Sequence, residues 1–165
     1  MSDRQQATTK HETTVGTPTD REIFIERIFD APRERVWAAF TDPELIARWW
    51  GRRSTTTIVA QQELRVGGAW RFVERNADGS EAGFRGIYRE VVAPERLVLT
   101  FEWEGMPGYV IVDTATFEDL GERTRVRTNS LFHTTEERDG MLSAGMEIGL
   151  NEGYEALDEL LARPA

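Results

Sequence analysis

Two carboxylates and a phenol occupy otherwise apolar positions in the middle of the sequence. Glu74, Tyr88 and Asp113 share the strand parity of large apolar neighbours such as Phe72 and Ile111. A buried ionised carboxylate is costly without a partner, so Glu74 and Asp113 should lie at a wet rim, pair with an arginine or bind something else. Inside a cavity, these three groups could orient a ligand or transfer protons. The sequence leaves these alternatives open.

The composition excludes several other kinds of chemistry. The 165 residues include no cysteine and two histidines, which excludes disulfides, thiol catalysis and a usual zinc shell. The sequence contains none of the short motifs typical of serine hydrolases, P-loop NTPases, dinucleotide-binding enzymes or zinc proteases. We therefore predict no metal and no cofactor, and we identify no set of catalytic residues.

The charge and the apolar pattern limit the partners and the location. There are 20 basic and 29 acidic side chains, and the formal net charge of −9 argues against a nonspecific nucleic-acid binder. No apolar stretch approaches the roughly 20 residues of a membrane-spanning helix, and the N-terminal segment lacks the apolar core of a secretory signal. We expect a cytoplasmic monomer or homodimer with no nucleic-acid or membrane partner.

Periodicity divides the chain into the elements that must position these groups. The composition of residues 1–20 predicts a disordered tail, and the pattern of residues 21–163 predicts a single domain. A strand over residues 21–29 is followed by two short helices that begin near prolines. From residue 54 the period changes to two, and short connections make the sheet antiparallel. The six strands expected there cover residues 55–59, 69–75, 83–92, 96–104, 109–118 and 123–132.

The last predicted element is a long amphipathic helix over residues 139–162. Its apolar stripe would close over the apolar face of the sheet. Gly145, Gly149 and Gly153 recur along that stripe, and three glycines inside a helix cost roughly 3 kcal/mol relative to alanine. Two interpretations explain them: close approach of the helix to bulky strand side chains, or room left for a ligand.

Several motifs, taken together and in order, resemble one known family. The motifs are Phe29-Asp30-Ala31-Pro32-Arg33, Thr41-Asp42-Pro43-Glu44, Arg48-Trp49-Trp50-Gly51, Leu64-Arg65-Val66-Gly67-Gly68-Ala69-Trp70 and Pro94-Glu95-Arg96-Leu97-Val98. On these motifs, residues 21–162 resemble the helix-grip proteins of the START-like, Bet v 1-like (SRPBCC) superfamily. Within that group they resemble the family related to the C-terminal domain of the activator of Hsp90 ATPase. Many relatives have a Gly-Trp pair in the terminal helix where this sequence has Gly153-Tyr154.

The resemblance implies an α+β fold with a cavity. A curved antiparallel sheet of about seven strands would grip the long C-terminal helix, with two short helices between the first and second strands. We place the candidate cavity between the apolar strand face and the glycine-bearing face of the helix. The candidate residues are Trp49, Phe72, Glu74, Phe84, Tyr88, Phe101, Trp103, Tyr109, Ile111, Asp113, Met146, Gly149, Leu150 and Gly153.

Three functions stand as hypotheses, because the resemblance does not imply one reaction. The preferred hypothesis is that the cavity binds a small hydrophobic or aromatic molecule, without a catalytic centre. The second is a cyclase-like or aromatase-like enzyme that uses Glu74, Asp113 or Tyr88 for proton transfer. The third is a protein-interaction module that modulates a partner such as a chaperone ATPase through its surface. A fully packed interior would favour this third hypothesis.

Overall fold

The computed structural model describes residues 11–164 as eight β-strands and four α-helices. The strands are β1 (Thr14–Gly16), β2 (Glu22–Phe29), β3 (Thr56–Gln62), β4 (Ala69–Arg75), β5 (Glu81–Val92), β6 (Arg96–Trp103), β7 (Ile111–Asp119) and β8 (Thr124–Leu131). The helices are α1 (Arg33–Thr41), α2 (Pro43–Trp49), α3 (Thr135–Ser143) and α4 (Met146–Leu161). None of these helices is long and apolar enough to cross a membrane.

The eight strands form one antiparallel sheet with the order β1-β2-β8-β7-β6-β5-β4-β3. Hairpins connect the consecutive strands from β3 to β8, since short connections can join only antiparallel neighbours. Register shifts between Val59 and Gln61 in β3, and between Tyr88 and Glu90 in β5, bend the sheet. The structure confirms the predicted α+β class, with a curved sheet, a C-terminal helix and two helices inserted after β2.

Apolar and ionic contacts attach α4 to β2. Tyr154 packs edge-on against Phe29 with ring centroids 5.2 Å apart, and Leu157 is fully buried. The guanidinium of Arg27, which is 3% exposed, donates to both carboxylate oxygens of Asp158 at 2.8 and 2.5 Å. Loss of Asp158 would leave the buried charge of Arg27 unpaired, so this ion pair helps to hold the helix in place on the sheet.

Part of the predicted disordered tail is an ordered strand. Thr14–Gly16 form β1, in which Val15 pairs with Ile25 of β2. This strand accounts for the difference between the predicted count of about seven strands and the observed eight. A strand of three residues is too short to show the alternation on which the prediction depended. The rest of the predicted tail, residues 1–10, lies outside the described residues.

The terminal segment forms two helices, where the sequence predicted one. Gly145 separates α3 from α4 with φ of +79°, a left-handed conformation that glycine adopts without steric cost. At the start of α3, the Thr134 hydroxyl accepts a hydrogen bond from the backbone N–H of Glu137 at 3.2 Å. The prediction of one continuous helix from residue 139 is therefore wrong.

Candidate ligand-binding cavity

A cavity of about 650 Å³ lies between the inner face of the sheet and the helices. Strands β2 and β4 to β8 contribute to its lining, together with α1, α2 and the turn after α2, and with α3 and α4. The lining is mostly aromatic and aliphatic. Its polar members are Arg52, Thr55, Glu74, Asn76, Tyr88, Asp113, Thr128, Ser130 and Tyr154. This combination of volume, apolar lining and few polar groups is typical of small-molecule sites, which span about 300–1,000 Å³.

The structure brings the candidate residues together around this cavity, with one exception. The lining includes Trp49, Phe72, Glu74, Phe84, Tyr88, Phe101, Trp103, Ile111, Asp113, Met146, Gly149, Leu150 and Gly153. Tyr109 is not part of the lining and is 50% exposed. It belongs to the connection before β7, which begins at Ile111, so strand alternation does not set its direction. The placement of Tyr109 in the cavity is therefore wrong.

Aromatic side chains form a wall along one part of the cavity. Trp50 packs edge-on against Phe72 and Phe84, with ring centroids 5.3 and 5.2 Å apart. Trp70 lies 4.8 Å from Phe72, and Phe101 lies 5.5 Å from Phe84. Aromatic pairs at such separations each contribute about 0.5–1.5 kcal/mol beyond their buried area. The wall therefore presents well-fixed, apolar ring surfaces to a bound molecule.

Gly86 in β5 makes room for one of these rings. A Cβ at this position would lie 1.8 Å from the carbonyl oxygen of Thr100 and 2.6 Å from Nε1 of Trp70. The Trp70 indole occupies this space and donates to the same carbonyl oxygen at 3.2 Å. The position of the Trp70 ring thus depends on the absence of a side chain at Gly86.

Asp113 is a half-buried carboxylate that faces the cavity. Strand pairing places it between Leu99 of β6 and Ser130 of β8. The Ser130 hydroxyl donates to Asp113 Oδ1 at 2.5 Å. Burial raises the pKa of Asp113 to about 6, against the opposing effect of the Ser130 hydrogen bond. At neutral pH the cavity therefore contains a poorly hydrated anion.

Tyr154 of α4 borders the same part of the cavity. Burial raises its pKa to about 12, with a hydrogen bond to Thr128 acting in the opposite direction. The charge of Arg27 also lowers the pKa of Tyr154, whereas the charge of Asp113 raises it. The phenol consequently stays neutral over the physiological pH range.

Glu74 lies against the turn after α2. A Cβ at Gly51 would be 2.7 Å from Glu74 Oε1, so the carboxylate packs directly on the Gly51 backbone. Burial raises the pKa of Glu74, while the charge of Arg52 and a hydrogen bond from its backbone lower it. The side chain of Arg52 is exposed. Glu74 thus combines two of the expected alternatives, a rim position and a neighbouring arginine.

Tyr88 has a hydroxyl that is already bonded. Its side chain is 3% exposed, and Nε2 of Gln62 donates to its hydroxyl oxygen at 3.1 Å. The same nitrogen donates to the carbonyl oxygen of Thr41 at 2.7 Å. Burial raises the pKa of Tyr88, and the Gln62 hydrogen bond lowers it. The ring lines the cavity, whereas the hydroxyl connects β5 through Gln62 to the end of α1.

The two glycines inside α4 are not required by steric contact with the strands. A Cβ at Gly149 would lie 3.7 Å from Nε of Arg52. At Gly153 it would lie 3.5 Å from the carbonyl oxygens of Trp49 and Gly51. These are ordinary van der Waals distances, and the atoms belong to α2 and the following turn. Close approach to bulky strand side chains is therefore not the explanation for these glycines.

Many lining residues were not among the candidates, and Trp50, Ser130 and Tyr154 are three that matter for the site. A signal existed for each of them. Ser130 has the inner-face parity of β8, and Trp50 follows Trp49 directly. Tyr154 comes four residues after Leu150, a spacing that puts both residues on one helix face.

A second depression, of about 470 Å³, is lined by the α2–β3 connection and the end of α4. Arg53 donates from its guanidinium to Glu159 at 2.8 Å and from its backbone N–H to Glu152 at 3.1 Å. Paired charges dominate this surface, so the apolar cavity is the better candidate for a ligand site. Among residues 11–164, no group of three or more His, Asp and Glu side chains could hold a metal ion.

A curved antiparallel sheet folded around a C-terminal helix, with a cavity between them, defines a helix-grip protein. The chain belongs to the family described as activator of Hsp90 ATPase homolog 1-like proteins, whose model matches residues 30–162. This match confirms the resemblance seen in the motifs. No curated protein matches the sequence.

Solved structures show the same fold. A protein from Arthrobacter aurescens, solved by NMR, is 30% identical in sequence to this chain; the two structures have a TM-score of 0.83, and the match covers 92% of each chain. A crystal structure from Rhodobacter sphaeroides is 26% identical, covers 92% of this chain and 99% of the other, and has a TM-score of 0.86. A crystal structure of a protein from Mycobacterium smegmatis is 22% identical in sequence, covers 93% of this chain and 99% of its own, and has a TM-score of 0.82.

Proposed function

We propose that this protein binds a small hydrophobic or aromatic molecule in the cavity between the sheet and α4. The observation that carries the proposal is the cavity of about 650 Å³ with its aromatic wall. A volume of this size accepts a molecule of two or three fused rings. The ligand would bind in the cytoplasm, and the net charge of −9 supports a small molecule over nucleic acid as the partner.

Gly149 offers a direct test, because it lines the cavity and faces Arg52. In Gly149→Leu, a branched side chain would occupy this part of the cavity. The matched control is Asn151→Leu, which adds the same side chain to the same helix at an exposed position. Uptake of the neutral naphthalene dye prodan, followed by its fluorescence, should be lost in Gly149→Leu and kept in Asn151→Leu. Circular dichroism should show equal helix content in both variants.

Two results would overturn the proposal. Prodan emission that stays unchanged on adding the wild-type protein would show that the cavity does not accept an apolar molecule. Equal prodan affinity in Gly149→Leu and the wild type would show that the dye binds elsewhere. Native mass spectrometry of the purified protein gives an independent measurement, since a retained ligand would add a discrete mass.

Proton transfer is a second candidate function, favoured by one observation. The pKa of Asp113 is about 6, and a general base is most effective when its pKa is near the working pH. A bound aromatic ketone such as β-tetralone would then exchange its α-protons with deuterium from solvent, as followed by NMR. Asp113→Asn should abolish the exchange while prodan still binds. Exchange at the uncatalysed rate with the wild-type protein would refute this candidate.

A surface-only role in protein interaction has less support. That hypothesis expects a packed interior, and the volume of the cavity argues for the interior as the functional part of the molecule.

A further inference from the structure

The carboxylate of Asp113 has a free side toward the cavity. Oδ1 accepts the Ser130 hydroxyl, and among residues 11–164 no arginine, lysine or histidine forms an ion pair with it. Asp113 is only partly buried by its neighbours, and its remaining surface faces the cavity because it belongs to the lining. An anion of this kind attracts a hydrogen-bond donor, and a positively charged donor most strongly.

Other charges near Asp113 are already neutralised. Arg27 influences Tyr154 electrostatically, but both carboxylate oxygens of Asp158 hold its guanidinium. Tyr154 stays protonated, with a pKa of about 12. The remaining charged lining groups, Glu74 and Arg52, neighbour each other at the turn after α2. Asp113 is thus a partly buried charge that no cationic side chain among residues 11–164 neutralises.

An aromatic ring lies diagonally across the sheet from this carboxylate. Leu99 pairs with Asp113 across β6 and β7, and Phe101 pairs with Ile111 two residues away, so Phe101 lies diagonal to Asp113 on the same face. Phe101 continues into the aromatic wall through Phe84. The faces of aromatic rings carry negative potential and attract cations. A carboxylate on the same strand face as these rings is a suitable environment for an ammonium group on an apolar body.

We propose that the ligand is a compact apolar amine, whose ammonium group donates to Asp113 and whose apolar body packs on Phe101 and Phe84. This inference rests on the proposed function, since it names the chemical class of the molecule in the same cavity. A carboxylic acid would bring two negative charges together there. A neutral alcohol would bind without the Coulombic attraction that the buried anion offers.

Three indoles of similar size separate these possibilities: tryptamine, tryptophol and indoleacetic acid present an ammonium, a hydroxyl and a carboxylate on one ring system. Isothermal titration calorimetry of the wild-type protein should show tryptamine binding about tenfold or more tighter than tryptophol, as a charged hydrogen bond predicts. Indoleacetic acid should bind most weakly. In Asp113→Asn, tryptamine should lose this advantage, while the affinity of tryptophol should change much less.

Two control variants make the result specific. Asp119→Asn makes the same substitution on the same strand at an exposed position, and it should leave all three affinities unchanged. Glu74→Gln removes the other carboxylate of the cavity; whatever its effect on the three affinities, tryptamine should still bind more tightly than tryptophol. With the wild-type protein, tryptamine affinity should also fall as the pH drops below about 6, where Asp113 takes up its proton.

Several outcomes would overturn the amine inference. One is equal affinity for tryptamine and tryptophol, and another is a preference for indoleacetic acid. If the preference for tryptamine over tryptophol survives Asp113→Asn but is lost in Glu74→Gln, the ammonium group binds Glu74 and not Asp113. If none of the indoles binds a protein that takes up prodan, the amine inference fails while the cavity proposal stands. If prodan is not taken up either, the proposed function itself fails.

Discussion

Replacement of Asp113 by asparagine should stabilise the folded protein at neutral pH. Folding raises the pKa of this carboxyl from its ordinary 3.8 to about 6. A tenfold change in proton affinity is worth about 1.4 kcal/mol, so the ionised form of Asp113 costs the folded state about 3 kcal/mol. Asparagine retains an acceptor oxygen for the Ser130 hydroxyl and has no charge to desolvate. Since its NH₂ group also loses water, we expect a net stabilisation of about 1–3 kcal/mol.

The stabilisation by Asp113→Asn should depend on pH in one direction. At a pH well below 3.8 the carboxyl is protonated in both the folded and the unfolded chain, so the two proteins differ little. Between 3.8 and about 6 the unfolded chain releases this proton first, and the wild-type protein loses stability as the pH rises. Above a pH of about 6, Asp113 is ionised in both the folded and the unfolded chain, and the wild-type protein bears the full cost of the buried charge. The advantage of the variant therefore grows through this window and then stays constant.

Urea unfolding, followed by circular dichroism at several pH values on both sides of this window, measures the effect. Asp119→Asn, at the exposed end of the same strand, serves as the control and should not show the same pH-dependent gain. Destabilisation of the protein by Asp113→Asn at neutral pH would contradict this expectation. A difference from the wild type that is the same at every pH would also contradict it, because the cost would then not be electrostatic.

Three further substitutions test the fold by urea unfolding. Gly145→Ala should destabilise the protein by about 1–2 kcal/mol, because alanine is strained at φ of +79°; an unchanged midpoint would contradict the break between α3 and α4. Gly149→Ala should stabilise it by about 0.8–1 kcal/mol, since the new Cβ has only ordinary contacts; a loss of stability would show a hidden clash. Asp158→Ala should lower the free energy of unfolding by about 3 kcal/mol, because Arg27, which is 3% exposed, loses its partner. A loss as small as that of a surface ion pair would contradict this and would mean that water solvates the Arg27 guanidinium in the variant.

Strand alternation predicted most of the cavity because of how the sheet is built. Side chains two residues apart on a strand share a face, so Phe72, Phe84 and Phe101 could be placed together from three separate strands. The register shift in β5 lies after Tyr88, and it therefore does not disturb the parity of Phe84. The same rule failed at Tyr109, where a residue before the strand was counted as part of it.

The apolar pattern of the sequence could not predict the backbone conformation at the break between α3 and α4. A period of 3.6 residues is the same for one long helix and for two shorter helices, and only the φ of Gly145 distinguishes them. The residue type gave a hint, since glycine both weakens a helix interior and permits a left-handed break. Of Gly145, Gly149 and Gly153, only Gly149 and Gly153 therefore carry the cost of a glycine in a helix interior.

Two independent sources of instability meet at the cavity. Gly149 and Gly153 cost α4 roughly 2 kcal/mol together relative to alanine, although the structure has space for a Cβ at both positions. Asp113 costs about 3 kcal/mol in its ionised form. A domain is stabilised by only about 5–15 kcal/mol in total, so these are substantial losses, and conservative substitutions would relieve each of them. Residues that lower stability at a site where the fold does not require them are characteristic of functional sites. The glycines and Asp113 both border the cavity, and a ligand that fills the space and pairs with the carboxylate accounts for both.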